Sequence, residues 1–134
     1  MTISVPKKVN SYNQKIEYLE IKKARTCYSH LAGKFGVRLL DYMIENRYLE
    51  KKHDVSVTEN GKLFFRSIGI ENAELLNSKL CMDWSERRFH LAGELGSKIC
   101  AVFLQKGWII NSTKNRSVTL SMRSPGWLEM LYKN

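Results

Sequence analysis

Apolar residues recur at helical spacing twice along the chain. Leu31, Phe35, Leu39, Tyr42 and Met43 fall at i, i+4, i+8, i+11 and i+12, and Leu91, Leu95, Ile99, Val102 and Phe103 do the same. Each set predicts a helix of about sixteen residues, about 24 Å long. An aromatic–aliphatic step follows each helix, Tyr48-Leu49 or Trp108-Ile109-Ile110, and then a polar stretch. Short strands come next, Val55-Ser56-Val57 and Ser117-Val118-Thr119-Leu120, with polar hairpin tips at 50–54 and 111–115. Thr58 and Ser121 stand where helices would start, since a hydroxyl there accepts from amides of the first turn. A leading helix over 14–28 carries Ile16, Leu19 and Ala24 on one side, and a connecting helix is expected near 71–80. Helix, strand, polar tip, strand, helix is the order of a winged-helix unit.

The two periodic segments are also alike residue by residue. His30-Leu31-Ala32-Gly33-Lys34-Phe35-Gly36 returns sixty positions later as His90-Leu91-Ala92-Gly93-Glu94-Leu95-Gly96. Conservative pairs continue at the same offset: Arg38/Lys98, Leu39/Ile99, Met43/Phe103, Ile44/Leu104, Tyr48/Trp108 and Leu49/Ile109. The expectation is a mostly α fold with small β-hairpins (α+β), built as tandem duplicated winged-helix-like repeats sharing one core. The first would span 1–80 and the second 81–134. Ala32, Gly33 and Gly36, and likewise Ala92, Gly93 and Gly96, share one helix face. A glycine inside a helix costs about 1 kcal/mol relative to Ala, so a packing reason is expected. The reading is that the two repeat helices cross at these small residues about a pseudo-twofold axis. A helix broken at the glycines into a helix-turn-helix is the alternative.

Composition narrows the class. At 134 residues, 43% hydrophobic and with only two Pro, the chain suits one compact domain rather than a disordered one. Its longest purely apolar run, residues 99–104, is far short of the roughly twenty residues of a membrane span. The first eight residues lack the apolar stretch of a signal peptide, and three cysteines make no disulfide framework. A cytoplasmic protein is expected. The net charge of +9 points to an acidic partner, most simply DNA. Residues 1–38 hold eight Lys and Arg against two Glu, and residues 101–134 hold five against one, so the middle is near neutral. No dense basic tail exists, and an ordinary solvated surface explains the charge equally well. Motifs for acyl transfer, metalloprotease chemistry or phosphate cradling are missing, so no enzyme is expected.

Two longer strings carry a resemblance. Ala24-Arg25-Thr26-Cys27-Tyr28-Ser29-His30-Leu31-Ala32-Gly33 and Cys81-Met82-Asp83-Trp84-Ser85-Glu86-Arg87-Arg88-Phe89-His90-Leu91-Ala92-Gly93 resemble the C-terminal half of a group of ArsR-type (arsenic-repressor family) bacterial transcriptional regulators. Val57-Thr58-Glu59-Asn60-Gly61 resembles the family's closing helix, and residues 120–126 do so degenerately. Ser29 stands for the usual Asp, and Phe89 for the usual Pro. Such regulators carry a DNA-reading winged helix ahead of this half, and no positions here match it. The resemblance covers about residues 20–134 and implies a regulator module with a dimerising or sensing role, DNA as partner and a homodimer as assembly.

Candidate residues follow. Cys27 and His30, three apart, and Cys81 and His90 invite a metal reading, since thiolate and imidazole suit zinc-like ions. Paired CxxC motifs are missing, and both histidines occupy equivalent positions, so structural histidines or redox-active thiols compete; no metal or cofactor is assigned. Ser85 would cap a helix reaching His90, with Arg87 and Arg88 paired to Asp83 or Glu86. Trp84 either plugs the repeat interface or, with Cys27, His30, Arg87 and His90, lines a pocket for a small-molecule or metal effector. Lys51 and Lys52 at one tip, and Lys114 and Arg116 at the other, could touch DNA phosphates.

Overall fold

The computed structural model describes residues 11–133. Helix α1 (Ser11–Lys23) leads into a hairpin of β1 (Arg25–Cys27) and β2 (His30–Ala32), then α2 (Gly33–Glu45). A second hairpin, β3 (Leu49–Lys51) and β4 (Val55–Val57), precedes α3 (Glu59–Ser67). A 3-10 turn (Ala73–Leu75) then connects to β5 (Lys79–Met82), β6 (Phe89–Ala92), α4 (Gly93–Gln105), β7 (Ile109–Asn111), β8 (Val118–Leu120) and α5 (Gly126–Lys133). Every hairpin is an antiparallel two-stranded sheet, so the fold is α+β. The order hairpin, helix, hairpin, helix occurs twice. Among the described residues no helix is long and apolar enough to cross a membrane. The N-terminal stretch read above for a signal peptide lies outside the described residues.

Several expectations are corrected. His30-Leu31-Ala32 and His90-Leu91-Ala92 are strands, and the helices begin only at Gly33 and Gly93. Both glycines have positive φ, +76° and +75°, so the chain leaves each strand through a left-handed residue before winding into helix. The leading helix stops at Lys23, and 71–80 holds a 3-10 turn and the start of β5 rather than a helix. Ser85 lies in the β5–β6 turn and caps no helix. Thr58 caps α3 as expected, its Oγ1 accepting from the Gly61 amide at 2.9 Å. Ser121 accepts from the Arg123 amide instead within a turn, and α5 starts at Gly126.

The glycine face also serves a different neighbour. A Cβ on Gly36 would stand 2.5 Å from the Leu31 carbonyl oxygen, and one on Gly96 2.7 Å from that of Leu91. The next neighbours are the Cβ of His90 over Gly36, at 3.6 Å, and of His30 over Gly96, at 3.2 Å. The small residues thus admit the helix's own hairpin strand and the histidine of the opposite half, with α2 packed on β6 and α4 on β2. Leu31, Gly36 and Leu39 enclose a small void together with Leu91, Gly96 and Ile99.

One continuous core runs through both halves. Phe35, Leu39, Met43 and Phe65 join Leu95, Ile99, Phe103 and Leu128, all buried. Trp127 of α5 stacks on Tyr42 of α2 (ring centroids 5.1 Å) and meets Trp108 edge-on at 6.4 Å, tying the end of the chain to the first half. Matching hydrogen bonds hold the later hairpins. The Thr58 amide donates to the Tyr48 carbonyl (3.1 Å) and the Ser121 amide to that of Trp108 (2.8 Å). Their hydroxyls donate to the carbonyls of Arg47 and Gly107.

Replacing Gly96 with Ala tests the close approach. Helix propensity favours Ala by about 1 kcal/mol, yet the clash with the Leu91 carbonyl should leave Gly96→Ala less stable by about 1–3 kcal/mol in urea unfolding. An unchanged or raised midpoint would show that the hairpin gives way freely.

Candidate functional site

The hairpin register builds the site. Cys27 pairs directly with His30 across β1–β2, and Cys81 with His90 across β5–β6. Directly opposed residues of a hairpin lie on one face, so each hairpin presents a Cys-His pair. With β2 packed against β6, the two pairs meet. The imidazoles of His30 and His90 lie 5.0 Å apart, and a ring nitrogen of His90 lies within 4.8 Å of both the Cys27 and Cys81 sulfurs. Both histidines are buried, whereas the two thiols are half-buried.

Behind this cluster stands a charged network. Asp83 is wholly buried, and its Oδ2 accepts from the Gly33 amide (2.7 Å) and contacts His90 Nδ1 (2.8 Å). Oδ1 takes Arg25 Nη2 at 2.8 Å, the Ser85 hydroxyl at 2.9 Å, and the Ser85 and Glu86 amides. Burial alone would raise the Asp83 carboxyl. Hydrogen bonds from His90, Gly33 and Ser85, with the Arg25 charge, overcome that and hold it well below the usual carboxylate range. Asp83 therefore stays ionised and accepts from His90 Nδ1–H, so Nε2 is the ring atom turned away from the carboxylate. That Nε2 is buried and has no hydrogen-bond partner among the described residues, and the same holds for His30 Nδ1. Burial, then the neighbouring His90, push His30 down to about 4, so it is neutral at pH 7. Burial and the adjacent Cys27 push the Cys81 thiol up, and burial alone pushes Cys100 up to about 11.

The remaining sequence candidates scatter. Trp84 lies under the Arg25 guanidinium, 4.4 Å from ring centroid to Cζ, and beside Tyr18 at 6.1 Å. It thus sits on the Arg25 side of the network. Arg87 is an exposed turn residue with φ +55°, its amide bonded to the Asp83 carbonyl. Arg88 pairs not with Asp83 or Glu86 but with Asp41 of α2, at 2.7 Å. Lys51, Lys52, Lys114 and Arg116 are exposed at or beside the hairpin tips. The Arg116 carbonyl accepts from the Thr26 amide at 2.9 Å, docking the second tip against β1. Sequence reasoning missed Asp83 as the hub and Arg25 as its partner, and it left Cys81 out of the pocket. The signal for Cys81 lay in its equivalence to Cys27, hidden by the longer turn before His90.

The chain is 36% identical over 120 residues to YdfF of Bacillus subtilis (strain 168), an uncharacterized HTH-type transcriptional regulator. The match covers 85% of this chain and 53% of that protein, so the chain spans about half the length of this relative. No protein-family profile and no solved structure matches the chain.

Asp83 offers a direct stability test. Removing one partner of a buried ion pair leaves the other charge uncompensated at a cost of about 3–5 kcal/mol. Asp83→Ala, which strands Arg25 and uncaps α2, should lose that much in denaturant unfolding. Asp83→Asn, which keeps an acceptor for Gly33, should lose less. Equal stability of Asp83→Ala and the parent would remove Asp83 from its central place.

Proposed function

We propose that this chain is a module of an ArsR-like transcriptional regulator, serving as the C-terminal dimerisation and effector-sensing region of a DNA-binding repressor. The observation that carries this reading is the similarity to an HTH-type regulator, which leaves nearly half of that relative outside the match. In this reading the unmatched part supplies the DNA-reading winged helix. No catalytic step is assigned to the chain. The twofold element order and the paired hydrogen bonds of Thr58 and Ser121 support tandem winged-helix-like copies sharing one core. Effector sensing would act where the halves meet, at Cys27, His30 and His90, because a ligand there contacts both first hairpins and can shift their relative placement.

A second reading has the chain grip duplex DNA through its tips, favoured by the exposure of Lys51, Lys52, Lys114 and Arg116. The two separate by measurement. Sedimentation of the full chain should show a homodimer at micromolar concentration; a monomer at every concentration would overturn the dimerisation role. Fluorescence anisotropy with duplex DNA should show only weak, non-specific binding. Binding that is sequence-selective at physiological salt, and whose affinity falls with a log–log slope of about −0.9 per phosphate contacted, would favour the tips instead.

A further inference from the structure

The cluster between the first hairpins has an atom with nothing to do. His90 Nε2 is buried in a protein interior, where unpartnered polar atoms are rare and costly. Asp83 holds the opposite ring nitrogen, so in the neutral ring the free lone pair lies on Nε2. A carboxylate–histidine pair with the far nitrogen free is the arrangement that orients imidazole toward a metal ion. Two thiols complete the surroundings, with both sulfurs within 4.8 Å of a His90 ring nitrogen and of each other. In a tetrahedral zinc site with Zn–S of about 2.3 Å, ligand atoms stand about 3.7 Å apart, so a contraction of about 1 Å at most would close the set.

We propose that Cys27, Cys81 and His90 bind a single thiophilic divalent ion of the zinc class. Two thiolates and a neutral imidazole balance its charge, while Asp83 and Arg25 already neutralise one another and leave it no competing counter-charge. The half-buried thiols give the ion a way in from solvent. His30, with Nδ1 unpartnered and its ring 5.0 Å from that of His90, borders the cluster beside the three ligands. Because the ligands come from β1, β5 and β6, the ion would clamp the two first hairpins together. The inference gives a ligand to the sensing role proposed above, but the two fail independently, since metal uptake is read on the chain alone without DNA or dimer.

The test is Co2+ titration of the reduced full chain, displaced by Zn2+. One equivalent should develop the thiolate-to-metal charge transfer and intense d–d bands of tetrahedral cobalt. These should vanish in Cys27→Ser and in Cys81→Ser and persist in Cys100→Ala. Wild-type footprinting keeps the test independent of variant folding: zinc should slow alkylation of Cys27 and Cys81 by about tenfold or more, because a bound thiolate is no longer a free nucleophile, and leave Cys100 unchanged. Absence of the bands, bands that survive both serine variants, or equal alkylation with and without zinc would each overturn the proposal. So would a Cys27–Cys81 disulfide as the pair's sole reactivity, with no zinc protection after reduction.

Discussion

One buried carboxylate holds the molecule in register. Asp83 receives the amide of Gly33 at the start of α2, the guanidinium of Arg25 from β1 and the imidazole of His90 from β6. An ionised carboxylate inside a core is unfavourable unless each lone pair is engaged, and here both oxygens are. The first turn of α2 gains a negative charge where its exposed amides and dipole favour one, although Ala32 offers no side-chain cap. The same contacts stop Arg25 from being an isolated buried cation and stop His90 from choosing its tautomer. Three separate elements are thereby fixed by one side chain.

The two halves differ where Asp83 lies. The β1–β2 turn is Tyr28-Ser29, whereas β5–β6 is joined by residues 83–88. The extra length forms a loop folded back on itself through Asp83, with the Asp83 amide on the Arg88 carbonyl and Arg87 in a left-handed conformation. At the corresponding end of α4 the Asn77 carbonyl accepts from the Leu95 amide, so a backbone group does there what a carboxylate does for α2. The asymmetry makes His90, rather than His30, the oriented imidazole.

Much of this was legible in the chain. The helical spacing found the core faces of α2 and α4, and the Thr58 cap followed from its hydroxyl. Helix starts were misplaced because His-Leu-Ala continues the apolar period backward, while only the positive φ of Gly33 and Gly93 marks the true corner. Strands of three or four residues are too short to display alternation, so the first hairpins were invisible. The chain offers Cys27 with His30 and Cys81 with His90 as candidate pairs, but that the pairs meet follows only from the strand register and the packing of β2 on β6. Asp83 and Arg25, 58 residues apart, leave no local trace at all.

The separation of α2 from its cap has a consequence during synthesis. Gly33 leaves the ribosome fifty residues before Asp83. At about 5–20 residues per second, that is an interval of about 3–10 s. Throughout it β1 carries an Arg25 side chain with no counter-charge, and the face of α2 that will rest on β6 is bare. The first half of the nascent chain therefore cannot complete its packing until the second half has emerged.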